Sequence, residues 1–244
     1  MSFEKEVQER IDAIGQNEAL KSSAHAFMKA SVDPKYSYNF SWLGRPIIQY
    51  PQDMVAMQEL LWEVKPDLII ETGIAHGGSL IFYASILELI ATCTGHEGEV
   101  LGIDIDIRSH NRKAIEEHPM YKRISLIQGS SVAPEIVAQV VEKAKSKKRI
   151  LVCLDSNHTH EHALAELEAY AHLTSVGSYC VVFDTLIEDM GKGAYPDRSW
   201  GPGNNPKTAV WEYLKKHSEF EINKSIDHKL LISVAPDGYL KRVR

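Results

Sequence analysis

The apolar residues of this chain follow two rhythms, and the change falls at Pro66. Before it, spacings of three and four dominate. Glu4 to Ala30 predicts one or two amphipathic helices, and Gln52 to Val64 puts Met54, Met57, Leu60 and Leu61 on one face of another. Between them, Ser31 to Tyr50 is aromatic and irregular, with Tyr36, Tyr38, Phe40, Trp42 and Pro46. Residues 1–50 are therefore expected to form a helical and irregular extension that covers a main domain, residues 51–244.

After Pro66, short apolar runs alternate with helical patterns. The runs are Leu68–Ile70, Val100–Ile103, Ile124–Ile127, Ile150–Leu154 and Tyr179–Phe183. They are continuous rather than alternating, which is the pattern of strands buried on both faces of a parallel sheet. Gly78–Ala91, Ser109–His118, Ala133–Ser146 and Glu161–Thr174 read as the intervening helices. Repeated strand–helix units with right-handed crossovers give a doubly wound α/β sheet. Phe220–Ile222 and Leu230–Val234 are two later runs with only a short polar stretch between them, so they are expected to close the sheet as an antiparallel hairpin, making seven strands.

Composition leaves this picture intact. Of 244 residues, 44% are hydrophobic and 25% charged, as in an ordinary globular protein, and the net charge of -6 offers no field to collect nucleic acid. No apolar stretch is long enough to span a bilayer. Met1 to Glu6 lacks the apolar segment of a secretory signal, and the three cysteines, Cys93, Cys153 and Cys180, read as small buried hydrophobes. A reducing cytoplasm is the expected setting.

In doubly wound sheets, ligands bind beyond the carboxyl ends of the strands. The first strand ends at Glu71 and leads through Thr72-Gly73-Ile74-Ala75-His76-Gly77-Gly78-Ser79 into a helix. The glycines permit a tight turn and close approach of a ligand, and the helix start offers free N–H groups. The spacing fits neither the dinucleotide fingerprint nor the phosphate loop of nucleotide hydrolases. An acid at Glu71 repels a pyrophosphate and suits a cationic cofactor, which favours S-adenosylmethionine over NAD. Asp104, with Asp106 as its alternative, is placed to accept from two ribose hydroxyls, and Gly129, Ser130 and Ser131 to border an adenine. Thr72, Gly73, Gly77, Ser79 and Asp155 complete the candidate cofactor set.

The fourth and fifth strands deliver Asp155 and Asp184. Two carboxylates from neighbouring strand ends suit a hard cation that prefers oxygen ligands. His158 stands near enough to serve as general base, while His160 and His162 read as the first turn of a helix. A zinc site from these histidines lacks a complete ligand spacing. Leu186 to Pro206 is long and rich in glycine and proline, and Tyr195, Arg198 and Trp200 mark it as a lid that touches substrate.

Asp155-Ser156-x-His158, the fifth-strand acid, the tract Arg198-x-Trp200-Gly201-Pro202-Gly203-Asn204-Asn205-Pro206-Lys207-Thr208-Ala209-Val210, and Trp42-Leu43-Gly44-x-Pro46 together resemble the cephalosporin hydroxylase/rhamnosyl O-methyltransferase family. The resemblance implies a class I, Rossmann-like methyltransferase fold, S-adenosylmethionine as cofactor, and Mg²⁺ between cofactor and acceptor. It also implies methyl transfer to a hydroxyl of a sugar, glycolipid or antibiotic, and a homo-oligomer. Carried over by position, Asp155 and Asp184 are metal ligands and His158 is the base. Family members often carry Glu-Asp at the fifth strand end, where this chain has Phe183-Asp184. Two other readings stand beside this one. One is an iron-dependent hydroxylase using His158, His160 and Asp155; the other is an inactive cofactor-binding scaffold, motivated by Phe183.

Overall fold

The computed structural model describes residues 2–244. The N-terminal periodicity resolves into two helices, α1 (Phe3–Gly15) and α2 (Glu18–Val32). Ser2 and Asn17 start them, each side chain accepting a hydrogen bond from a first-turn amide that lacks an intrahelical partner. The irregular stretch contains a two-stranded hairpin, β1 (Phe40–Trp42) and β2 (Arg45–Ile47), turned at Leu43 and Gly44 with positive φ at both. Helix α3 (Pro51–Val64) follows, with proline at its first turn, where no amide is needed.

The five continuous runs become parallel strands: β3 (Leu68–Thr72), β4 (Glu99–Asp104), β5 (Ile124–Gln128), β6 (Ile150–Leu154) and β7 (Tyr179–Val182). Between them lie α4 (Gly78–Thr94), α5 (Ser109–Glu116), α6 (Pro134–Ala144) and α7 (His160–Tyr170). The remaining elements are α8 (Pro206–Tyr213), β8 (Phe220–Ile222), α9 (Lys224–Leu230) and β9 (Tyr239–Arg242). Strand order across the sheet is β5-β4-β3-β6-β7-β9-β8, with β9 antiparallel to both neighbours. β3, β6 and β7 are buried along their whole length, whereas β5 at the sheet edge is only half-buried over Ser125–Ile127.

Two expectations are corrected. Leu230–Val234 is not a strand: helix α9 runs into it, and the seventh strand of the sheet is β9, which begins only at Tyr239. The run is too short for periodicity to separate a strand from a helix end, and Ser233 and Val234 turn inward to bond Asp53 instead of pairing. Cys93 is exposed near the end of α4, while Cys153 and Cys180 are buried as expected.

Alternate residues of the strands feed separate cores. Leu68, Ile70, Val152 and Cys180 pack beneath α6, α7 and α8, while Ile69, Leu151, Val181 and Phe183 pack with α3, α4 and the N-terminal segment. The chain runs outward from β3 to β5 and then returns to place β6 on the other flank of β3. The crevice between the ends of β3 and β6 is thus the point where the winding reverses, the place where such sheets bind ligands.

Candidate active site

The crevice is built by the ends of β3, β4 and β6, which hydrogen-bond one another. The Asp155 amide donates to the Thr72 carbonyl at 2.9 Å, and the Gly73 amide to the Ile103 carbonyl at 2.8 Å. Gly73 has φ 79°, and a Cβ there would collide with the Asp155 backbone, so glycine is required on both counts. Gly77, also left-handed, ends the loop where α4 starts. The open first turn of α4 directs free N–H groups at the crevice.

Glu71 is 1% exposed, and its carboxylate accepts from the Ser79 hydroxyl at 2.8 Å. Burial, with the neighbouring Asp104 charge adding to it, pushes its pKa up to about 8 against the hydrogen bonds from Ser79 and Tyr83. Asp104 ends β4 and is tied into the loop: its carboxylate accepts from the Ile74 and Asp106 amides, each at 2.9 Å. Asp106 is exposed, whereas Asp104 is half-buried. Thr72 is wholly buried, and its hydroxyl has no hydrogen-bond partner.

Gly129 follows β5, its amide bonded to the Asp104 carbonyl at 2.9 Å. Ser130 is half-buried and Ser131 buried. Nothing in the sequence pattern marks how this corner is fixed. His162 Nε2 lies 3.2 Å from the Ser131 hydroxyl, 3.0 Å from that of Ser156 and 3.4 Å from the buried Glu166 carboxylate, to which Ser156 also donates at 2.7 Å. One helix, α7, thereby braces the segments after β5 and β6 together.

At the chemical end, Asp155, His158 and Asp184 each place a ligating atom within 4.8 Å of the others, the one such cluster of three among the described residues. His158 Nε2 is 3.0 Å from Asp184 Oδ2. Burial opposes the charged imidazole, but the adjacent Asp184 charge and hydrogen bond outweigh it and raise the His158 pKa. Removal from bulk water, then the charges of Asp184 and Glu71, push the Asp155 carboxyl well above the usual carboxylate range. Asp184 holds a left-handed φ of 55°, a conformation non-glycine residues adopt at a cost. Phe183 points the other way, into the core at 1% exposure, so its side chain adds no carboxylate to the cluster.

The facial arrangement needed for iron is not formed. His160 turns away to Thr208 (2.8 Å) and Glu212 (3.2 Å), and His162 to its serines, which leaves one histidine in the cluster. The same divergence excludes the histidine zinc site.

The segment after β7 is more ordered than its composition suggests. A short 3-10 helix spans Thr185–Met190, and Gly201 and Asn204 pair across a turn. Glu188 accepts from the Gly203 amide at 2.7 Å and from the Asn205 side chain at 2.5 Å, and Asn205 with Thr208 forms a reciprocal cap on α8. Trp200 is delivered edge-on to His158 (ring centroids 5.3 Å), Tyr195 packs on Trp200 (4.7 Å), and the Arg198 guanidinium lies over the Trp200 ring (5.6 Å). Of the three residues expected to form a lid, Trp200 reaches the cluster, and Tyr195 and Arg198 pack on Trp200.

The sheet order and its flanking helices are those of the class I methyltransferase fold. The family model described as Rhamnosyl O-methyltransferase/CmcI matches residues 34–243, and the chain belongs to that family. The Rhamnosyl O-methyltransferase of Mycobacterium tuberculosis is 31% identical over 192 residues, covering 78% of this chain and 73% of that protein. That of Mycobacterium leprae is 30% identical over 204 residues, covering 83% and 82%. Among solved structures, a CmcI protein with Mg and SAM superposes with a TM-score of 0.57 at 20% identity, covering 85% of this chain and 78% of that one. An O-methyltransferase from Bacillus cereus with SAH gives 0.50 at 13% identity, covering 84% and 82%. At these identities the superpositions speak for the fold. No helix among the described residues is long and apolar enough to cross a membrane.

Proposed function

We propose that this enzyme methylates a hydroxyl of a small-molecule acceptor of the sugar, glycolipid or antibiotic type, with Mg²⁺ held by Asp155 and Asp184. The observation that carries the reading is the convergence of Asp155, His158 and Asp184 at the lip of the β3/β6 crevice, beside the Glu71–Ser79 loop. Relatives named for acting on rhamnosyl groups favour a sugar hydroxyl.

The donor set suits a hard cation. Two carboxylate groups converge; burial first, and the Asp184 charge after it, raises the Asp155 pKa, and a divalent ion would offset both. Phe183 supplies no further carboxylate, so the chain contributes fewer charged ligands than the family pattern and the remaining positions fall to water and acceptor. When bound, Mg²⁺ would polarise the acceptor hydroxyl and lower its pKa. His158 is assigned as the base, its imidazole held by Asp184 and wedged by Trp200. Tyr195, Arg198 and Trp200 cover the acceptor and exclude water. On the cofactor side, Glu71 meets the cationic methionine end, Asp104 the ribose hydroxyls, and Gly129, Ser130 and Ser131 the adenine edge. Thr72, Gly73, Gly77 and Ser79 shape the loop beneath it.

Exposed Phe3, Leu20 and Phe27 on α1 and α2 support a homo-oligomer, and three free cysteines support a reducing, cytoplasmic setting. The test is transfer of labelled methyl from S-adenosylmethionine to a panel of rhamnosyl and other sugar hydroxyls, with Mg²⁺ and with chelator. Turnover is expected to need the metal, and His158→Ala and Asp155→Ala to lower it by about 10²–10⁴-fold. Cofactor binding without turnover on any acceptor would point instead to a scaffold.

A further inference from the structure

We propose that Arg45 is a positioning residue for the cofactor loop, so that the N-terminal hairpin forms part of the cofactor site. The inference rests on the assignment of Glu71–Ser79 as that loop. At the loop tip, Ala75 is left-handed without being glycine (φ 44°), and its carbonyl and that of His76 face out of the turn. Both are gripped from outside. The Arg45 guanidinium donates to the His76 carbonyl through Nε at 3.1 Å and Nη2 at 2.5 Å, and to Asn111 Oδ1 at 3.1 Å. Asn111, 5% exposed on α5, turns its amide nitrogen to the Ala75 carbonyl at 3.2 Å. Arg45 and Asn111 thus form a single clamp on two successive peptide groups.

The hairpin that carries Arg45 is itself anchored to the helix behind the loop. A Cβ on Gly78 would strike the Pro46 backbone, so glycine there lets the hairpin close onto the start of α4. Trp42 packs edge-on to Phe82 (4.9 Å) and donates its indole N–H to the Ser85 hydroxyl at 2.9 Å. His118 reaches the Leu43 carbonyl at 3.1 Å from the far side. A planar fork with five fixed donors suits this task, which a flexible ammonium performs poorly. By fixing the carbonyls outward, the clamp holds the turn in one conformation ahead of the α4 N-terminus, a preorganisation that reduces the cost of binding.

Calorimetric titration of the full chain with S-adenosylhomocysteine tests this, together with the KM for S-adenosylmethionine. Arg45→Ala and Asn111→Ala are each expected to weaken cofactor affinity by about tenfold or more, the loss of a charge-assisted hydrogen bond. The effect should fall on KM for the cofactor and not on kcat at saturation, and Arg45→Lys should recover only part of it. Apo melting curves, taken beside the titrations, give the folded fraction for each variant. Affinity equal to wild type in folded Arg45→Ala and Asn111→Ala would overturn the proposal. Failure of the wild-type chain to bind the ligand at all would instead overturn the loop's assignment.

Discussion

Glu71 shows how one residue can set the behaviour of the ligand-free site. Its carboxyl is buried, with no cation beside it, and its pKa is lifted from 4.5 to about 8. A carboxyl raised on folding contributes stability that is complete below its unfolded value and is lost as pH climbs through the folded one. The apo protein is therefore expected to lose stability between about pH 4.5 and 8, by an amount on the order of a few kcal/mol. Glu71→Gln should flatten that slope, read as Tm against pH in apo protein. An unaltered slope would mean that Glu71 is solvated in solution. Asp53 adds to the same trend, since its carboxyl is raised by burial from 3.8 to about 6. Glu71, Asp155 and Asp184 stand out in the sequence because each ends an apolar run, where ligand-binding positions fall. Arg45, Asn111 and Asp53 do not, because each finds its partners only in the folded chain. Arg45 meets residues 31 and 66 positions away, and Asp53 meets Ser233, 180 positions away.

At the scale of elements, the central strands were legible because burial on both faces leaves Leu68–Ile70 of β3, and all of β6 and β7, without a charged position to break the run. β9 was not. It reads Tyr-Leu-Lys-Arg and buries only Tyr239 and Leu240, so nothing in its four residues separates it from a loop. Leu230–Val234, more apolar, drew the assignment to itself. The segment after β7 shows the same limit: its Glu188, Asn205 and Thr208 contacts depend on a turn whose shape composition does not encode. The β3–α4 connection gives the element-level prediction. Gly73 and Gly95 share a left-handed φ, 79° and 74°, but a Cβ meets the Asp155 backbone at the first and open space at the second. Gly95→Ala should cost only the conformational strain, about 1–2 kcal/mol, and leave cofactor binding intact. Gly73→Ala should cost more and abolish the titration with S-adenosylhomocysteine. Denaturant midpoints together with that titration separate the two, and equal effects would remove Gly73 from the cofactor loop.

For the whole molecule, the question is whether the residues before β3 are an appendage or part of one cooperative body. The contacts favour one body. Asp53, at the start of α3 and fully buried, accepts from the Ser233 hydroxyl at 2.6 Å, the Val234 amide at 2.9 Å and the Tyr239 hydroxyl at 2.8 Å, tying the chain's first quarter to its last strand. α1 lies against α9, and Gln8 donates to Ser225 at 3.3 Å. Met28 of α2 and Ile47 of the hairpin belong to the same core cluster as Ile69, Val181 and Phe183 of the sheet. Unfolding is accordingly expected to be a single transition, with far-UV circular dichroism and tryptophan fluorescence coincident, since Trp42 and Trp62 report the first part and Trp200 and Trp211 the last. Asp53→Ala leaves three donors without their acceptor, at a cost of about 3 kcal/mol or more, which lowers Tm by about 6–12 °C for a protein of this size. If the two parts are one body, that loss moves both probes together. If the N-terminal segment is independent, the variant will melt in two steps, with the fluorescence and dichroism curves parting at the lower one.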